Sequence, residues 1–209
     1  MLSVSNLYCE RDERVLFARL DFAITAGEVL QVRGTNGSGK TTLLRILCGL
    51  NHDYDGDVLW DGQPLREVRE SFHAGVFYLG HSPAINRTLT PLQNLRWYCA
   101  SQGYEDDDAI RAALAARGLG GYEDLPCYQL SAGQQRRVSL ARLALSPARL
   151  WILDEPFTAL DRGAVAELEL LIADYAERGG AVLLTTHHPL QLPTPPRVLD
   201  LDVLAGRRT

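Results

Sequence analysis

Gly34-Thr35-Asn36-Gly37-Ser38-Gly39-Lys40-Thr41 is the stretch that decides how this chain folds. Its spacing is G-x-x-x-x-G-K-[ST]. It lies between a run that reads as a strand, Glu28 to Val32, and one that reads as a helix, Lys40 to Leu50. Leu43, Leu44, Ile46, Leu47 and Leu50 give that helix an apolar face. Glycines let the backbone curl until successive N–H groups converge, and the helix N-terminus adds the positive end of its dipole. Such a loop cradles phosphate. Lys40 is expected to reach the β- and γ-phosphates of a nucleoside triphosphate, and the Thr41 hydroxyl to bind Mg²⁺. The bland alternative is a glycine-rich turn that merely opens a helix, and the strand–loop–helix context weighs against it.

Outward from this loop, strands and helices alternate. Asp55-Gly56 and Asp61-Gly62 bracket Val58-Leu59-Trp60, the pattern of short antiparallel strands. Val76 to Leu79 reads as another strand. A helical stretch follows, opened by Thr90-Pro91-Leu92-Gln93 as a capping box with proline at the first helical position. Asp107 to Arg117 is a second helix, acidic at its start and closed by Gly118. Then come a strand at Leu150 to Leu153, a helix at Asp161 to Arg178, and a strand at Ala181 to Thr186. Pro189 to Pro196 holds four prolines and reads as loop. Strand–helix alternation broken by helices predicts an α/β fold, a parallel-sheet core with a helical insertion at about 82–145 in a single domain spanning 1–209.

Composition excludes several classes. The chain has 46% hydrophobic and 22% charged residues, an ordinary globular balance. Its 21 Lys+Arg against 26 Asp+Glu leave a net charge of −5, without the basic footprint of a nucleic-acid-coating protein. No apolar run reaches the roughly 18 residues of a membrane span, and the N-terminal stretch lacks a secretory pattern. A cytosolic setting is expected, with Cys9, Cys48, Cys99 and Cys127 as buried reduced thiols rather than disulfides or zinc ligands.

Two further motifs carry chemistry. Leu150-Trp151-Ile152-Leu153-Asp154-Glu155-Pro156 is an apolar run ending in two carboxylates. A buried strand that delivers Asp154 at its C-terminal end sets it beside the phosphate loop, where it can hold Mg²⁺. Glu155 is then placed as base for a water attacking the γ-phosphate. The alternative for such an acid is a helix N-cap. The second motif, Leu130-Ser131-Ala132-Gly133-Gln134-Gln135-Arg136-Arg137, opens an apolar-periodic helix. Ser131 with Gln134 forms a capping box, and the same exposed N–H groups and dipole can grip an anion.

With these motifs in order the chain resembles the ABC ATPase family, whose signature is Leu-Ser-Gly-Gly-Gln; Ala132 replaces the first glycine. Ala159-Leu160-Asp161 resembles that family's D-loop, and Thr185-Thr186-His187 its strand-end switch histidine. The resemblance implies a P-loop NTPase with a mostly parallel core sheet, an N-terminal antiparallel β subdomain and an inserted helical subdomain. It implies an ATPase that works as a head-to-tail homodimer. ATP and Mg²⁺ would sit on Gly34, Thr35, Asn36, Gly37, Ser38, Gly39, Lys40, Thr41 and Thr42 of one subunit. Ser131, Gly133, Gln134 and Asp161 of the other would close the sandwich. Glu155 and His187 would be catalytic.

Two positions depart from the family. His81, in Tyr78-Leu79-Gly80-His81-Ser82-Pro83, stands where a glutamine is usual, and its imidazole can take over contact with Mg²⁺ or the attacking water. Arg11 stands where an aromatic residue usually stacks on adenine; a guanidinium can stack there, and Tyr8 or Phe17 could substitute. The run from Cys9 to Phe17, Gly80-His81, Asn94-Leu95-Arg96-Trp97-Tyr98 and Thr185-Thr186-His187-His188-Pro189 narrow the resemblance to ATPase subunits of bacterial cytochrome c maturation systems. That implies a peripheral subunit on the cytoplasmic face of the inner membrane, partnered by integral membrane subunits and serving haem export or release of a haem-loaded chaperone. Membrane subunits would dock near His81 to Gln102. An ATPase of a drug, lipid or amino-acid transporter, or a soluble ABC ATPase, stays open as the alternative. His187-His188 does not read as a haem-ligating pair, because the switch role accounts for His187 and no C-x-x-C-H motif exists. His52 and His73 are expected to face solvent, and Trp97, Tyr98 and Trp151 to serve as core or docking surface.

Overall fold

A computed structural model describes residues 1–206. The chain opens with an antiparallel hairpin, β1 (Leu2–Arg11) and β2 (Arg14–Ile24), paired Arg11 to Arg14 across Asp12-Glu13. Both turn residues take positive φ, as the twist of a two-residue hairpin loop requires. β3 (Val29–Arg33) leads into the phosphate loop and α1 (Lys40–Leu47). Next come β4 (Asp55–Trp60), β5 (Gln63–Pro64), α2 (Arg69–Gly75) and β6 (Val76–Leu79). The helical stretch holds α3 (Pro91–Ser101), α4 (Asp107–Ala115) and α5 (Ala132–Ala144). β7 (Leu150–Asp154), α6 (Arg162–Glu177), β8 (Ala181–Thr185), β9 (Arg197–Asp200) and α7 (Leu201–Gly206) complete it.

Two sheets result. One is four-stranded in the order β2-β1-β4-β5, antiparallel throughout. The other is five-stranded, β6-β7-β8-β3-β9, with β7–β8, β8–β3 and β3–β9 parallel. The α/β class expected from the alternation therefore holds. All residues of β7 and β8 are buried, as their unbroken apolar runs demand of parallel strands covered on both faces.

The described residues form two compact units. The first comprises Met1–Tyr78, Ala148–Pro156 and the chain from Glu169 onward. Its core joins Leu2, Leu20 and Trp60 of the antiparallel sheet to Leu44 and Leu47 of α1 and to Leu30, Ile152 and Leu183 of the parallel sheet. The second comprises Leu79–Pro147 and Phe157–Leu168. There α3, α4 and α5 pack on one another around the buried Leu95, Ile110, Leu114 and Val138. Thr90 and Gln93 exchange both capping-box bonds at the start of α3, satisfying two orphan donors, as their spacing predicts.

Some boundaries move. α1 stops at Leu47 rather than Leu50, because Gly49 takes φ 67° and turns the chain out; Leu50 is consequently exposed. α4 ends at Ala115, before Arg117, with Gly118 at φ 66° closing the turn. The strand expected to reach Thr186 ends at Thr185. The four cysteines and Tyr98 and Trp151 are buried, whereas Trp97 is exposed on α3. His52 and His73 face solvent. No helix among the described residues is long and apolar enough to cross a membrane.

Leu183, fully buried at the centre of the parallel sheet, tests this core. Leu183→Ala should destabilise the protein by about 2–5 kcal/mol, the transfer and cavity cost of such truncations. Urea denaturation followed by tryptophan fluorescence measures it.

Candidate nucleotide site

Register decides what meets at the end of the parallel sheet. Val32 of β3 pairs with Thr185 of β8, and Thr185 pairs with Asp154 of β7. The phosphate loop, the Asp154–Glu155 pair and the Thr186–His187 segment therefore all emerge from the carboxyl ends of adjacent strands, where open α/β sheets place their ligands.

The loop is built by its glycines and its lysine. Gly34 has φ 151°, and a Cβ there would stand 2.4 Å from Ser38 Oγ, so only glycine fits. Gly39 caps α1 in a left-handed conformation, turning the chain into the helix whose first residues are Lys40, Thr41 and Thr42. Lys40 Nζ donates to the carbonyls of Gly34 (2.8 Å) and Thr35 (3.1 Å), which hold the ammonium over the loop. Thr35 in turn donates through its N–H and hydroxyl to Asp202 of α7, at 2.7 and 3.1 Å.

The two carboxylates are set by one hydroxyl. Thr185 Oγ1, fully buried, donates to Asp154 Oδ1 at 2.8 Å and accepts the Glu155 N–H at 3.0 Å. Glu155 takes φ 48°, a left-handed conformation costly for a side-chain-bearing residue and typical of functional turns. The chain thus leaves the strand sharply after Asp154. The carboxylate of Glu155 faces His187, with Oε2 3.4 Å from the His187 N–H and Oε1 3.7 Å from Nε2. Asp154 is itself buried. Burial first, then Asp154, raises the Cys48 thiol well above its ordinary range; burial, with Cys48 and Asp154, pushes Tyr78 up to about 12.

A cleft of about 370 Å³ is lined by Gln31, Arg33, Gly34 and Lys40 on one side and by the run Thr186 to Pro189, which includes His187 and His188, on the other. Gln31, buried on β3, accepts two bonds from Arg33 and offers its amide to the Thr186 carbonyl at 3.4 Å. Sequence reasoning missed Gln31, Arg33 and Asp202. A glutamine in an apolar run is a faint signal, and Asp202 lies far along the chain. In the sequence Thr185 reads only as part of the switch segment; a threonine at the end of a buried strand beside an acidic strand end is the available clue.

The second unit holds the remaining candidates. Ser131 caps α5 and exchanges both capping-box bonds with Gln134, at 3.2 and 2.9 Å. A Cβ on Gly133 would stand 3.0 Å from the Ala159 carbonyl, so glycine is what lets that backbone approach. Asp161 accepts the Ala164 N–H at 2.9 Å and pairs with Arg137. These contacts, the backbone bond foremost, hold its carboxyl below the usual range. His81 is exposed, and the buried Arg136 donates to the neighbouring Gly80 carbonyl at 3.2 Å. So Lys40, Thr41, Asp154, Glu155 and His187 belong to the first unit; His81, Ser131, Gly133, Gln134 and Asp161 belong to the second.

Of the residues considered for adenine, Phe17 is buried beneath the loop, 3.3 Å from where a Gly39 Cβ would stand, and offers no face for stacking. Arg11 is exposed beside Asp12, and Tyr8 donates its hydroxyl to Glu10 at 2.6 Å.

Residues 17–158 match the model of the ABC transporter family. The chain is 54% identical over 194 residues to the cytochrome c biogenesis ATP-binding export protein CcmA of Escherichia coli O6:H1, covering 92% of this chain and 91% of that protein. CcmA of Shigella flexneri is similar to the same degree. Among solved structures, an ABC transporter ATP-binding protein of Pyrococcus furiosus superposes with a TM-score of 0.83 at 24% identity, covering 97% of this chain and 98% of that one.

Thr185→Val keeps the shape of the strand end but removes its hydroxyl. A buried carboxylate that loses a donor should cost about 1–3 kcal/mol of stability. Thermal unfolding checks the stability, and steady-state ATPase assays should show a lower kcat, because Asp154 loses its hydroxyl donor and the Glu155 N–H keeps only the Thr185 backbone carbonyl, at 3.2 Å.

Proposed function

The chain belongs to the ABC transporter family of ATP-binding proteins, among the CcmA-type cytochrome c biogenesis proteins, and on that footing we propose that it powers the export step of cytochrome c maturation as the ATPase subunit of a membrane complex. The observation that carries the enzymatic part is the convergence of Lys40, Asp154, Glu155 and His187 at the carboxyl ends of β3, β7 and β8. The cytochrome c role is supported by identity that runs through nearly the whole of both chains.

Hydrolysis follows from the parts. Lys40 leaves its carbonyl partners to meet the β- and γ-phosphates, while loop N–H groups from Ser38 to Thr42 cradle them. Glu155 accepts the proton of the attacking water, and His187, beside it, holds the γ-phosphate and orients that base. The donor set of Thr41 hydroxyl and Asp154 carboxylate is all oxygen, the chemistry a hard divalent cation takes, so these two would hold Mg²⁺. When bound, Mg²⁺ neutralises charge on the transferred phosphoryl group. His81 takes the place of the usual glutamine toward the water, and Arg11 or Tyr8 lies nearest to an adenine role.

One ATPase domain with a helical insertion, present in two copies, completes the device. Ser131, Gly133 and Gln134 of one copy meet the γ-phosphate held by Lys40 of the other, and Asp161 lies at that junction. Because the γ-phosphate supplies the contact that distinguishes closed from open, its loss opens the pair. Integral membrane subunits dock on the second unit, where the exposed Trp97 borders a groove of about 640 Å³ with Ile85, Leu89 and Tyr98. The subunit thereby sits peripherally at the cytoplasmic face of the inner membrane.

Glu155→Gln keeps shape and nucleotide binding but removes the base, and should slow hydrolysis about 10²- to 10⁴-fold. Light scattering should then find an ATP-retaining dimer that a further Ser131→Arg breaks; wild-type turnover would remove Glu155 from the role. Lys40→Ala should abolish tight ATP binding in an equilibrium titration. His81→Gln should retain much of the ATPase rate and His81→Ala lose most of it; an alanine variant matching wild type across pH 6 to 8 would make His81 a bystander.

A further inference from the structure

Glu169 is out of keeping with its place. It lies on α6 between Leu168 and Ile172, both fully buried, and is itself only 7% exposed. A carboxylate buried there is costly unless hydrogen bonds compensate, and a leucine would pack at less cost. Its partners are all in the segment that follows the switch histidine. Oε1 accepts the Gln191 N–H at 2.7 Å and lies 3.3 Å from His188 Nε2. The His188 N–H donates to Thr186 Oγ1 at 2.9 Å, which ties the near end of the same segment to the residue that follows β8.

These contacts bracket His187. On its upstream side β8 ends at Thr185; on its downstream side one buried oxygen gathers a ring nitrogen and a backbone N–H three residues apart. Thr186 to Pro196 contains no strand or helix, so side-chain anchors must do what a ladder would do elsewhere. We infer that Glu169 and His188 are positioning residues that hold His187 in register with Glu155. The second histidine of the pair, which the nucleotide chemistry does not use, thereby acquires a function. The inference rests on the proposed role of His187, and it adds a residue from a helix that carries none of the nucleotide-site candidates.

Because Glu169 lies outside the cleft and acts through the segment that carries His187, its loss should fall on kcat rather than KM. In ATPase assays on the full chain, Glu169→Leu should lower kcat about tenfold, the scale of a slightly misplaced catalytic group, with KM for ATP within about twofold. Glu169→Gln, which keeps an oxygen to accept the Gln191 N–H, should restore most of the rate. Thermal unfolding of Glu169→Leu should show no loss of stability, which a merely structural role would not allow. Wild-type kcat in Glu169→Leu, or a fall matching the loss of folded protein, overturns the inference. If Glu169→Leu does not fold, His188→Ala, at a half-exposed side chain, decides by the same criterion: a lower kcat at unchanged KM supports it, and unchanged kcat overturns it. His187→Ala separates the two levels. A full rate in that variant removes the switch role and this inference together. A low rate there beside a full rate in Glu169→Leu removes this inference alone.

Discussion

The parallel pairing of β3, β7 and β8 is the constraint on which the site depends. Parallel strands in register end together, so whatever follows each of them is delivered to the same place. Val32, Thr185 and Asp154 are register partners, and one step beyond them lie Arg33 with the phosphate loop, Thr186 and Glu155. A one-residue slip would send every side chain of the slipped strand to the opposite face and dissolve the arrangement. The unbroken burial of β7 and β8 prevents that slip, because both faces of these strands are packed.

Burial also sets the chemistry. Asp154, buried at the end of an apolar strand, accepts the Thr185 hydroxyl, and after burial it is a further cause of the raised Cys48 and Tyr78 groups. Glu155, one residue further, is forced into a left-handed turn that breaks the strand direction and turns its carboxylate to His187. Adjacent acids thus acquire different surroundings through backbone geometry, one buried under a hydroxyl and the other turned toward a histidine.

The second unit relies on backbone anchoring by buried cations and hydroxyls. Arg136, nearly inaccessible, spends its guanidinium on the Gly80 carbonyl, and Ser139 donates to the Pro83 carbonyl. The irregular stretch around His81 is thereby fixed by α5, the helix that Ser131 caps. Signature segment and His81 segment consequently share one rigid support, a coupling that two separate motifs in a linear chain do not reveal.

The linear order of residues was enough to establish the α/β class, the phosphate loop, the acidic strand end, both capping boxes and the family, because each is a local pattern with a local physical cause. Glycines at fixed spacing, an apolar run closed by two acids, and a serine three residues before a glutamine all act over a few residues. Tertiary structure alone decided the rest. It buried Phe17 under the loop, where it has no face for adenine, and exposed Trp97 while Tyr98 turned inward. It brought Asp202 to Thr35 and Glu169 to Gln191 across 167 and 22 residues of chain. Such contacts depend on which strands pair and which helix faces pack, and these are set by the whole core at once rather than by any one segment.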